Sequence, residues 1–373
     1  MKRCIAVLAA FVALHGAAQP VTPPPIAARA FVLLDLLSGQ TLAAANETDR
    51  FEPASLTKLM TAYVAFAAMR EGKIDAGTTV KPSLEAAKSE GARMFIVAGN
   101  PVTVGELLNG MIVDSGNDAA VALAEAVAGS EAAFVERMNH QAQRLGLADT
   151  HFANASGRPA PDHRSSARDL AVLAAAVIRD FPEQYPLYGK REFTYNRITQ
   201  SNRNRLLWTD TTVDGMKTGF TEAAGYCLVA SAKRGERRLV AVLMGAQSDG
   251  LRTSEGQKLL NFGFQAYETR RMYKKGEPVA KPAVYKGTKD EVALGFDHDV
   301  WLTMPRGKFA GIAATLETRQ PFVAPLAAGQ KAGIMKLTRD NAPVAEIPVV
   351  ALEEVPVAGF LSRGWDTLRL LFR

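Results

Sequence analysis

The order in which strand-like and helix-like patterns follow one another constrains this fold most. An apolar run at 30–35, a Ser-Gly turn and a second short run at 40–44 predict a β-hairpin. Two longer runs at 225–232 and 238–244 predict another hairpin, and a helix is predicted at 252–267. Helical spacing dominates between the hairpins. Strands at both ends with helices between them indicate an α+β domain.

One helical pattern between the hairpins spans 55–70, where apolar residues recur at helical spacing. Pro53 stands at its entrance and Gly72 follows its end, as is typical of helix boundaries. Further helices are predicted at 104–111, 118–128, 131–145 and 167–179. None of these patterns is long enough for a coiled coil, so we expect them to form a helical block.

The C-terminal third of the chain has a different pattern. Residues 274–282 are rich in Lys, Gly and Pro, and 284–355 contains many short β-type runs without a convincing helix. We therefore predict a first domain at 26–272 and an all-β domain at 277–356. A chain of 373 residues, 47% hydrophobic and 22% charged, fits two globular domains and excludes a disordered, collagen-like or multi-spanning membrane protein.

The N-terminus has the layout of a secretory signal peptide. Lys2 and Arg3 precede an apolar run at 4–14, and small residues follow it. The run is short for a membrane span. We predict a signal peptide at 1–18 with cleavage near Ala18, and hence export; an N-terminal strand or buried helix is the alternative.

The C-terminus, 359–373, forms an amphipathic pattern on a helical wheel. Trp365 and Phe372 lie on the apolar face, whereas Arg369 lies on the opposite face. Such a helix is too short to cross a bilayer, but it suits the headgroup region of a membrane. A membrane surface is therefore a predicted partner, and docking of this helix on its own domain is the alternative.

Charge and cysteine usage exclude several classes of function. The formal net charge is +6, but the basic residues are scattered, so we expect a solvated surface suited to anionic lipid or cell-wall polymer rather than to nucleic acid. Cys4 and Cys227 lie too far apart for a zinc knuckle or a disulfide framework, and Cys227 is expected to be buried in a strand. No histidine pair has metal-ligand spacing and no phosphate loop occurs, so no cofactor or metal is implied.

The first chemical motif is Ser-Leu-Thr-Lys at 55–58. It places the hydroxyl of Ser55 and the amine of Lys58 three residues apart at a helix start, so both point the same way. A lysine that is kept neutral by desolvation can take the proton of an attacking serine. Such a pair occurs roughly once by chance in a chain of this size, so alone it is weak evidence, and a capping serine beside a surface lysine is the alternative.

Two further motifs follow in a specific order. Ser115-Gly116-Asn117 falls between two predicted helices, and Lys217-Thr218-Gly219 leads into the second hairpin. Separately, Ser115 fits a helix cap and the second motif fits an exposed strand end. The order S-x-x-K, S-x-N, K-T-G is the set found in penicillin-binding proteins and class A β-lactamases.

With these motifs the chain resembles the low-molecular-mass penicillin-binding proteins, serine-type D-alanyl-D-alanine carboxypeptidases of bacterial cell-wall metabolism. The resemblance extends to Ser-Ser-Ala-Arg-Asp at 165–169, Asn-Arg-Asn at 202–204 and Gly-Tyr at 225–226. It implies a β-lactamase-like transpeptidase fold, with an antiparallel sheet, helices and a helical subdomain, followed by the small all-β domain and the amphipathic helix. It also implies a location at the periplasmic face of the inner membrane.

The resemblance implies a role for each motif residue. Ser55 is the expected nucleophile and Lys58 its general base, while Ser115 and Asn117 relay protons and hold the substrate amide across the cleft. The implied reaction removes the terminal D-alanine from peptidoglycan stem pentapeptides through a serine acyl-enzyme, and β-lactams bind covalently as inhibitors.

On the facing strand, the resemblance implies that Lys217, Thr218 and Gly219 bind substrate and that Arg252 recognises its terminal carboxylate. A fixed cation suits an enzyme that removes a C-terminal residue. The backbone N–H groups of the nucleophilic serine and of Phe220 are the expected oxyanion donors. A histidine commonly follows K-T-G in the family, so the phenylalanine here is expected to alter the pH profile and deacylation but not acylation.

Two other functions compete with this interpretation. A β-lactamase uses the same nucleophile, but Ser115-Gly116-Asn117 lacks the aspartate of the S-D-N motif, and the only acid proposed for a hydrolytic water is Glu183. A non-catalytic cell-wall scaffold is the other alternative, and three intact motifs argue against it.

Overall fold

The computed structural model describes residues 21–359 and residue 366. The chain divides into one unit formed by 23–36 and 41–264, and a second that comprises 37–40 and the chain from 265 onward. The predicted signal peptide at 1–18 lies outside the described residues. So does the predicted helix at 359–373, apart from its first residue and Asp366, whose carboxylate accepts a hydrogen bond from a backbone N–H of the second unit.

A five-stranded antiparallel sheet organises the first unit. Its order is β2-β1-β9-β8-β7, so the two predicted hairpins pair edge to edge. The strands are β1 Ala30–Asp35, β2 Thr41–Ala45, β7 Val213–Thr221, β8 Gly225–Arg234 and β9 Arg237–Ala246, with the short pairs β3 Thr79–Val80 with β4 Val102–Thr103, and β5 Glu192–Tyr195 with β6 Ile198–Ser201. Both hairpin predictions are confirmed.

Helices cover both faces of this sheet. They are α1 Lys58–Arg70, α2 Leu84–Ala87, α3 Val104–Ile112, α4 Asn117–Ala128, α5 Glu131–Leu145, α6 Ala167–Asp180, α7 Leu206–Thr209 and α8 Asp249–Ala266. Alternate strand residues serve the two faces: Val240 and Val242 join the core that contains α1 and α6, whereas Leu33 and Leu239 lie against α8. Because both faces are buried, β8 and β9 are almost continuously apolar.

Helix α1 runs through the helical block and carries the first motif at its start. It begins at Lys58 rather than at the predicted Ser55, because Ala54–Thr57 forms a turn of 3-10 helix before it. Nearly every side chain of α1 is buried, so the helix has almost no polar face. A helix surrounded by protein on all sides holds its first residues rigidly.

Helix α4 begins directly after the second motif. Asp118 in its first turn accepts hydrogen bonds from the backbone N–H groups of Met94, Phe95 and Ile96 at 2.9, 2.8 and 3.2 Å. A carboxylate at a helix N-terminus is stabilised by the helix dipole as well as by these donors. The loop before α3 is thus fixed against the same helix start that positions the second motif.

The second unit is all-β, as predicted. Its strands are β10 Tyr267–Tyr273, β11 Val284–Tyr285, β12 Leu294–Gly295, β13 Val300–Pro305, β14 Ile312–Thr318, β15 Phe322–Val323, β16 Lys331–Arg339 and β17 Ala342–Ala351. Four of them form a sheet of order β12-β17-β16-β14 around a separate apolar core. Strand β10 pairs with β13, so this unit starts before the predicted boundary at 277. The sequence signal was missed because β10 carries charged side chains, such as Arg270 and Arg271, at exposed positions.

Three further features of the described residues concern a cysteine, membrane-spanning helices and metal ligands. Cys227 is buried in β8, as predicted. Within the described residues, no helix is both long and apolar enough to cross a membrane. The same part of the chain has no group of three or more His, Cys, Asp or Glu side chains placed to hold a metal ion.

Candidate active site

The hydroxyl of Ser55 lies at the wall of a cleft of about 820 Å³. The residue before it, Ala54, has a backbone φ of +48°, in the left-handed region that L-residues rarely adopt. A Cβ atom on Gly157 would lie 1.9 Å from the Ala54 carbonyl oxygen, and one on Gly219 would lie 3.1 Å from the Ser55 nitrogen. Backbone from two other segments therefore packs directly against the turn that presents Ser55.

Lys58 reaches Ser55 from the first turn of α1. Its Nζ lies 3.1 Å from Ser55 Oγ and donates to Asn117 Oδ1 and the Ser156 carbonyl, each at 2.6 Å. Burial, and to a smaller extent the charge of Arg203, lower the pKa of the amine to about 7 against the opposing effect of Asp118. In the neutral amine, the two short hydrogen bonds use both N–H groups and leave the lone pair for the Ser55 hydroxyl.

Ser115 and Lys217 form the opposite side of the site. Lys217 Nζ donates to Ser115 Oγ at 2.9 Å and to the Thr218 carbonyl at 3.1 Å. Ser115 has a φ of +63°, which turns its hydroxyl out of the loop before α4. Burial holds the pKa of Lys217 well below its usual value, helped by the positive charges of Lys58 and Arg203. Two buried amines therefore each contact one of the two serine hydroxyls.

Asn117 links the base to the loop on the other side. Its Oδ1 accepts from Lys58 and its Nδ2 donates to the Glu90 carbonyl at 2.6 Å. The side-chain amide is therefore oriented by the protein itself. Holding the substrate amide, the role implied by the resemblance, stays a prediction.

The third motif lies on β7, and the helix α8 supplies the arginine beside it. Arg252 Nη1 lies 3.5 Å from the Gly219 carbonyl oxygen, its guanidinium pairs with Asp249, and it stands over the Tyr226 ring at 5.5 Å. Phe220 is 46% exposed and stacks on Tyr226 with ring centroids 4.4 Å apart. The arginine is thus fixed next to the third motif.

All the predicted site residues come together at this cleft. Two of them, Lys58 and Lys217, are buried beneath it, and the others line it: Ser55, Ser115, Asn117, Thr218, Gly219, Phe220 and Arg252. Glu183, the acid considered for a β-lactamase, is exposed and is not among the residues that line the cleft.

Two residues with a part in the electrostatics were not predicted as site residues. Arg203 lines the cleft and forms no ion pair or hydrogen bond with any residue of the described chain, although its charge lowers the pKa of both lysines. Asp114 is buried behind Ser115, its Oδ1 has no partner among the described residues, and burial together with Asp118 raises its pKa to about 7. Arg203 stands inside the Asn-Arg-Asn segment noted in the sequence and Asp114 directly precedes the second motif. Their charges, however, act through space on Lys217, which is far from Asp114 along the chain, and the charge of Arg203 also acts on Lys58.

The comparisons with known proteins agree with this geometry. Residues 17–248 match the family model described as D-alanyl-D-alanine carboxypeptidase, and 267–357 match the penicillin-binding protein 5 C-terminal domain. The chain belongs to the D-alanyl-D-alanine carboxypeptidase family. The carboxypeptidase DacC of Escherichia coli is 41% identical to it, over 96% of this chain and 91% of the relative.

Solved structures of family members show the same architecture. Penicillin-binding protein 5 of Haemophilus influenzae superposes with a TM-score of 0.87 at 42% identity, covering 90% of this chain and 99% of that one. An ampicillin-bound penicillin-binding protein D2 of Listeria monocytogenes has a TM-score of 0.58 at 29% identity, covering 65% of this chain and all of that one. The predicted fold class, with its all-β second domain, and the predicted enzyme class are confirmed, and the comparisons favour a carboxypeptidase over a β-lactamase or a scaffold.

Proposed function

We propose that this chain removes the C-terminal D-alanine from peptidoglycan stem pentapeptides through an acyl-enzyme on Ser55. The observation that carries the proposal is the contact between Ser55 Oγ and the amine of Lys58, whose pKa burial lowers to about 7. A base with a pKa near neutrality accepts a proton readily and returns it readily. The family supports the choice of substrate.

In the acylation step, the Ser55 oxygen attacks the carbonyl carbon of the scissile peptide bond while its proton passes to Lys58. The new C–O bond replaces the C–N bond, and the departing D-alanine nitrogen takes the proton of the Ser115 hydroxyl, which the Lys217 ammonium replaces through its hydrogen bond to Ser115. The backbone N–H groups of Ser55 and Phe220 hold the developing oxyanion. The close packing of Gly219 against the Ser55 nitrogen supports this pairing of donors.

Substrate selection rests on the terminal carboxylate. Arg252 is almost fully buried beside Gly219, so its guanidinium has a fixed position, and the Thr218 hydroxyl lines the same wall. A buried, oriented guanidinium recognises a carboxylate through charge-assisted hydrogen bonds. A peptide whose terminal carboxylate is amidated lacks this anion and is expected to be a poor substrate.

Deacylation separates peptides from β-lactams. After peptide cleavage the D-alanine departs and water takes its place, whereas an opened β-lactam stays tethered and blocks that approach. Among the described residues, two carboxylates line the cleft and both are ion-paired: Glu90 with Arg158 at 2.7 Å, and Asp249 with Arg205 at 2.8 Å and with Arg252. Neither is free to act as a hydrolytic base, so we expect a long-lived penicilloyl adduct.

Intact-protein mass spectrometry tests the nucleophile. Benzylpenicillin is expected to add once to the full chain and not at all to Ser55→Ala. Ser201→Ala is a matched control, because Ser201 is an exposed serine that lines the same cleft. An equal adduct on the Ser55 variant, or loss of the adduct from the Ser201 variant alone, contradicts the assignment.

We also propose export to the periplasmic face of the inner membrane and peripheral attachment through the C-terminal helix. The signal-peptide pattern at 1–18 and the amphipathic pattern at 359–373 support this location. Deletion of 359–373 should abolish flotation with anionic vesicles and leave peptide hydrolysis intact. If the truncated protein still floats, or unfolds, the segment is instead a packed part of its own domain.

A further inference from the structure

The nucleophile follows a backbone conformation that needs support. Ala54 adopts a φ of +48°, and such a residue stays in the left-handed region only where its surroundings fix it. The direction of the Ala54 carbonyl sets the plane of the peptide that leads into Ser55. Whatever holds this carbonyl therefore helps to determine where Ser55 Oγ lies relative to Lys58.

The Ala54 carbonyl is held by the hydroxyl of Thr57. Thr57 Oγ1 donates to Ala54 O at 2.8 Å, and Thr57 is completely buried. The backbone at Gly157 packs against the same carbonyl and leaves no room for a side chain there. This side-chain hydrogen bond adds to the backbone bond from the Leu56 N–H to the Pro53 carbonyl, at 3.1 Å, in closing the turn that contains Ser55.

The Thr57 hydroxyl is itself held by the ring of His163. His163 Nε2 lies 2.8 Å from Thr57 Oγ1, and His163 Nδ1 accepts the backbone N–H of Ala153 at 2.9 Å. Because Nδ1 receives a proton donor, the proton of the neutral ring lies on Nε2 and is donated to Thr57. These contacts form a hydrogen-bond chain that runs from the Ala153 N–H through His163 and Thr57 to the Ala54 carbonyl. In it, every donor is paired with an acceptor.

The environment of His163 keeps this arrangement in one state. The ring is 4% exposed and packs edge-on against Phe152 with centroids 6.0 Å apart. Burial lowers its pKa to about 4, and the nearby His151 and Lys58 act in the same direction. The ring is therefore neutral at the pH where acylation takes place.

The loop that carries these contacts also holds the base. The Ser156 carbonyl accepts from Lys58, and the Ala155 carbonyl accepts from Thr61 at 2.6 Å. One loop thus bonds to Thr57, Lys58 and Thr61, which lie on the buried side of the nucleophile's turn and of α1. Through this loop, Ser55 and Lys58 share a common support.

We propose that His163 is a positioning residue for acylation, which acts through the Thr57 hydroxyl to fix the Ala54 carbonyl and so the direction of Ser55 Oγ toward Lys58. This inference rests on the proposed function, because it assumes that Ser55 is the nucleophile. The proposal requires the acylation rate constant to depend on this hydrogen-bond chain, and the non-covalent binding of ligand not to depend on it. Arg252 and Thr218, which are proposed to bind ligand, do not contact it.

Four variants of the full-length chain test the proposal through the rate of acylation by benzylpenicillin. Thr57→Val keeps the shape and removes the hydroxyl, whereas Thr57→Ser keeps the hydroxyl. His163→Leu removes the donor, whereas His163→Gln places an amide N–H where Nε2 stood. Rapid-quench measurements over a range of penicillin concentrations separate the acylation rate constant from the non-covalent dissociation constant.

We expect Thr57→Val and His163→Leu each to lower the acylation rate constant by about a hundredfold, the size of effect that a misplaced nucleophile produces. Thr57→Ser and His163→Gln should recover most of that loss, with dissociation constants within about threefold of wild type. The variant that combines Thr57→Val with His163→Leu should acylate no more slowly than either single variant, because both substitutions break the same hydrogen-bond chain. Melting curves identify any variant that fails to fold.

Thr57→Val acylating as fast as Thr57→Ser would overturn the proposal, and so would losses that appear in the dissociation constant alone. Imidazole nitrogen-15 NMR of the wild-type protein gives a test that needs no variant: the ring of His163 should hold its proton on Nε2 and not titrate between pH 5 and 8. A proton on Nδ1 of His163 would contradict the proposed hydrogen-bond chain, because Nε2 could then not donate to Thr57. A wild-type protein that forms no penicilloyl adduct contradicts the proposed function instead.

Discussion

The two units bury different kinds of side chain. In the first unit the buried groups include the amines of Lys58 and Lys217, the carboxyl of Asp114 and the guanidinium of Arg252. Among the described residues of the second unit, Thr303 is the only buried polar one, and the rest of that unit's core is apolar. Apolar burial alone is sufficient to form a stable domain, so the buried charges of the first unit must be explained by what they do.

Burial of these groups disfavours their charged forms, and the cost is seen in their pKa values. Burial lowers the pKa of both lysines and raises the pKa of Asp114 to about 7, and each shift is a penalty on the charged form. A lysine that is partly neutral near pH 7 is what a serine nucleophile requires as its base. The first unit therefore gives up stability for chemistry, whereas the second does not.

Replacement of Lys58 should produce the largest effect. Lys58→Met keeps the length of the side chain and removes the base, so we expect benzylpenicillin acylation to fall about 1,000-fold. The unfolding temperature should change little, because the relief from desolvating a buried amine is offset by the loss of its hydrogen bonds to Asn117 and Ser156. Lys73→Met, at an exposed lysine, should change neither. Acylation near the wild-type rate would move the role of base to Ser115.

A cavity in the second unit should have the opposite profile. Leu337 is completely buried in the β core, so Leu337→Ala should lower the free energy of unfolding of that unit by about 2–5 kcal/mol. Acylation of Ser55 should be unchanged, because the site is built within the first unit. Thr315→Ala on exposed β14 is the control for denaturation. A parallel loss of acylation in the Leu337 variant would show that the comparison between the units is wrong.

The pH dependence of acylation tests the charges around Lys58. Attack requires the neutral amine, so the rate should rise with pH through a midpoint near 7. The positive charge of Arg203 lowers the pKa of Lys58, so Arg203→Gln should raise that pKa and move the midpoint to higher pH. The variant should be slower at pH 7 and equal to wild type on the alkaline plateau. Arg205→Gln should move the midpoint less, since Arg205 is paired with Asp249. A midpoint that stays or falls in Arg203→Gln contradicts the assigned cause.

Phe220 should produce the smallest effect. The expected oxyanion donor at this position is the backbone N–H, so Phe220→His should leave the acylation rate within about threefold of wild type. The exposed side chain faces the cleft, so the lifetime of the penicilloyl adduct and the pH profile are expected to change instead. A tenfold loss of acylation would show that the phenyl ring itself supports the donor.

Local patterns were sufficient for most of the fold and for the motif residues. Strands β8 and β9, predicted at 225–232 and 238–244, and helix α5 follow from periodicity and turn residues. Ser55 and Lys58 follow from their spacing. The 3-10 turn before α1 was not predictable, because the left-handed Ala54 is held by contacts from residues far along the chain.

The same limit applies to the electrostatics of the site. Arg203 acts on Lys58, and His163 contacts Thr57, from segments far away in the sequence. The residues around Arg203 and His163 in the sequence do not indicate that either lies close to the nucleophile's helix or that His163 is buried. Strand β10 was missed for another reason: an edge pairing with β13 tolerates charged side chains that hide the strand pattern.

Incubation of the protein with a pentapeptide that ends in D-Ala-D-Ala, followed by mass analysis of peptide and protein, distinguishes a carboxypeptidase from a β-lactamase. We expect repeated release of one D-alanine per peptide, and a long-lived single penicilloyl adduct on Ser55 when benzylpenicillin is supplied. Rapid multiple-turnover hydrolysis of benzylpenicillin without cleavage of the peptide would contradict the proposed function.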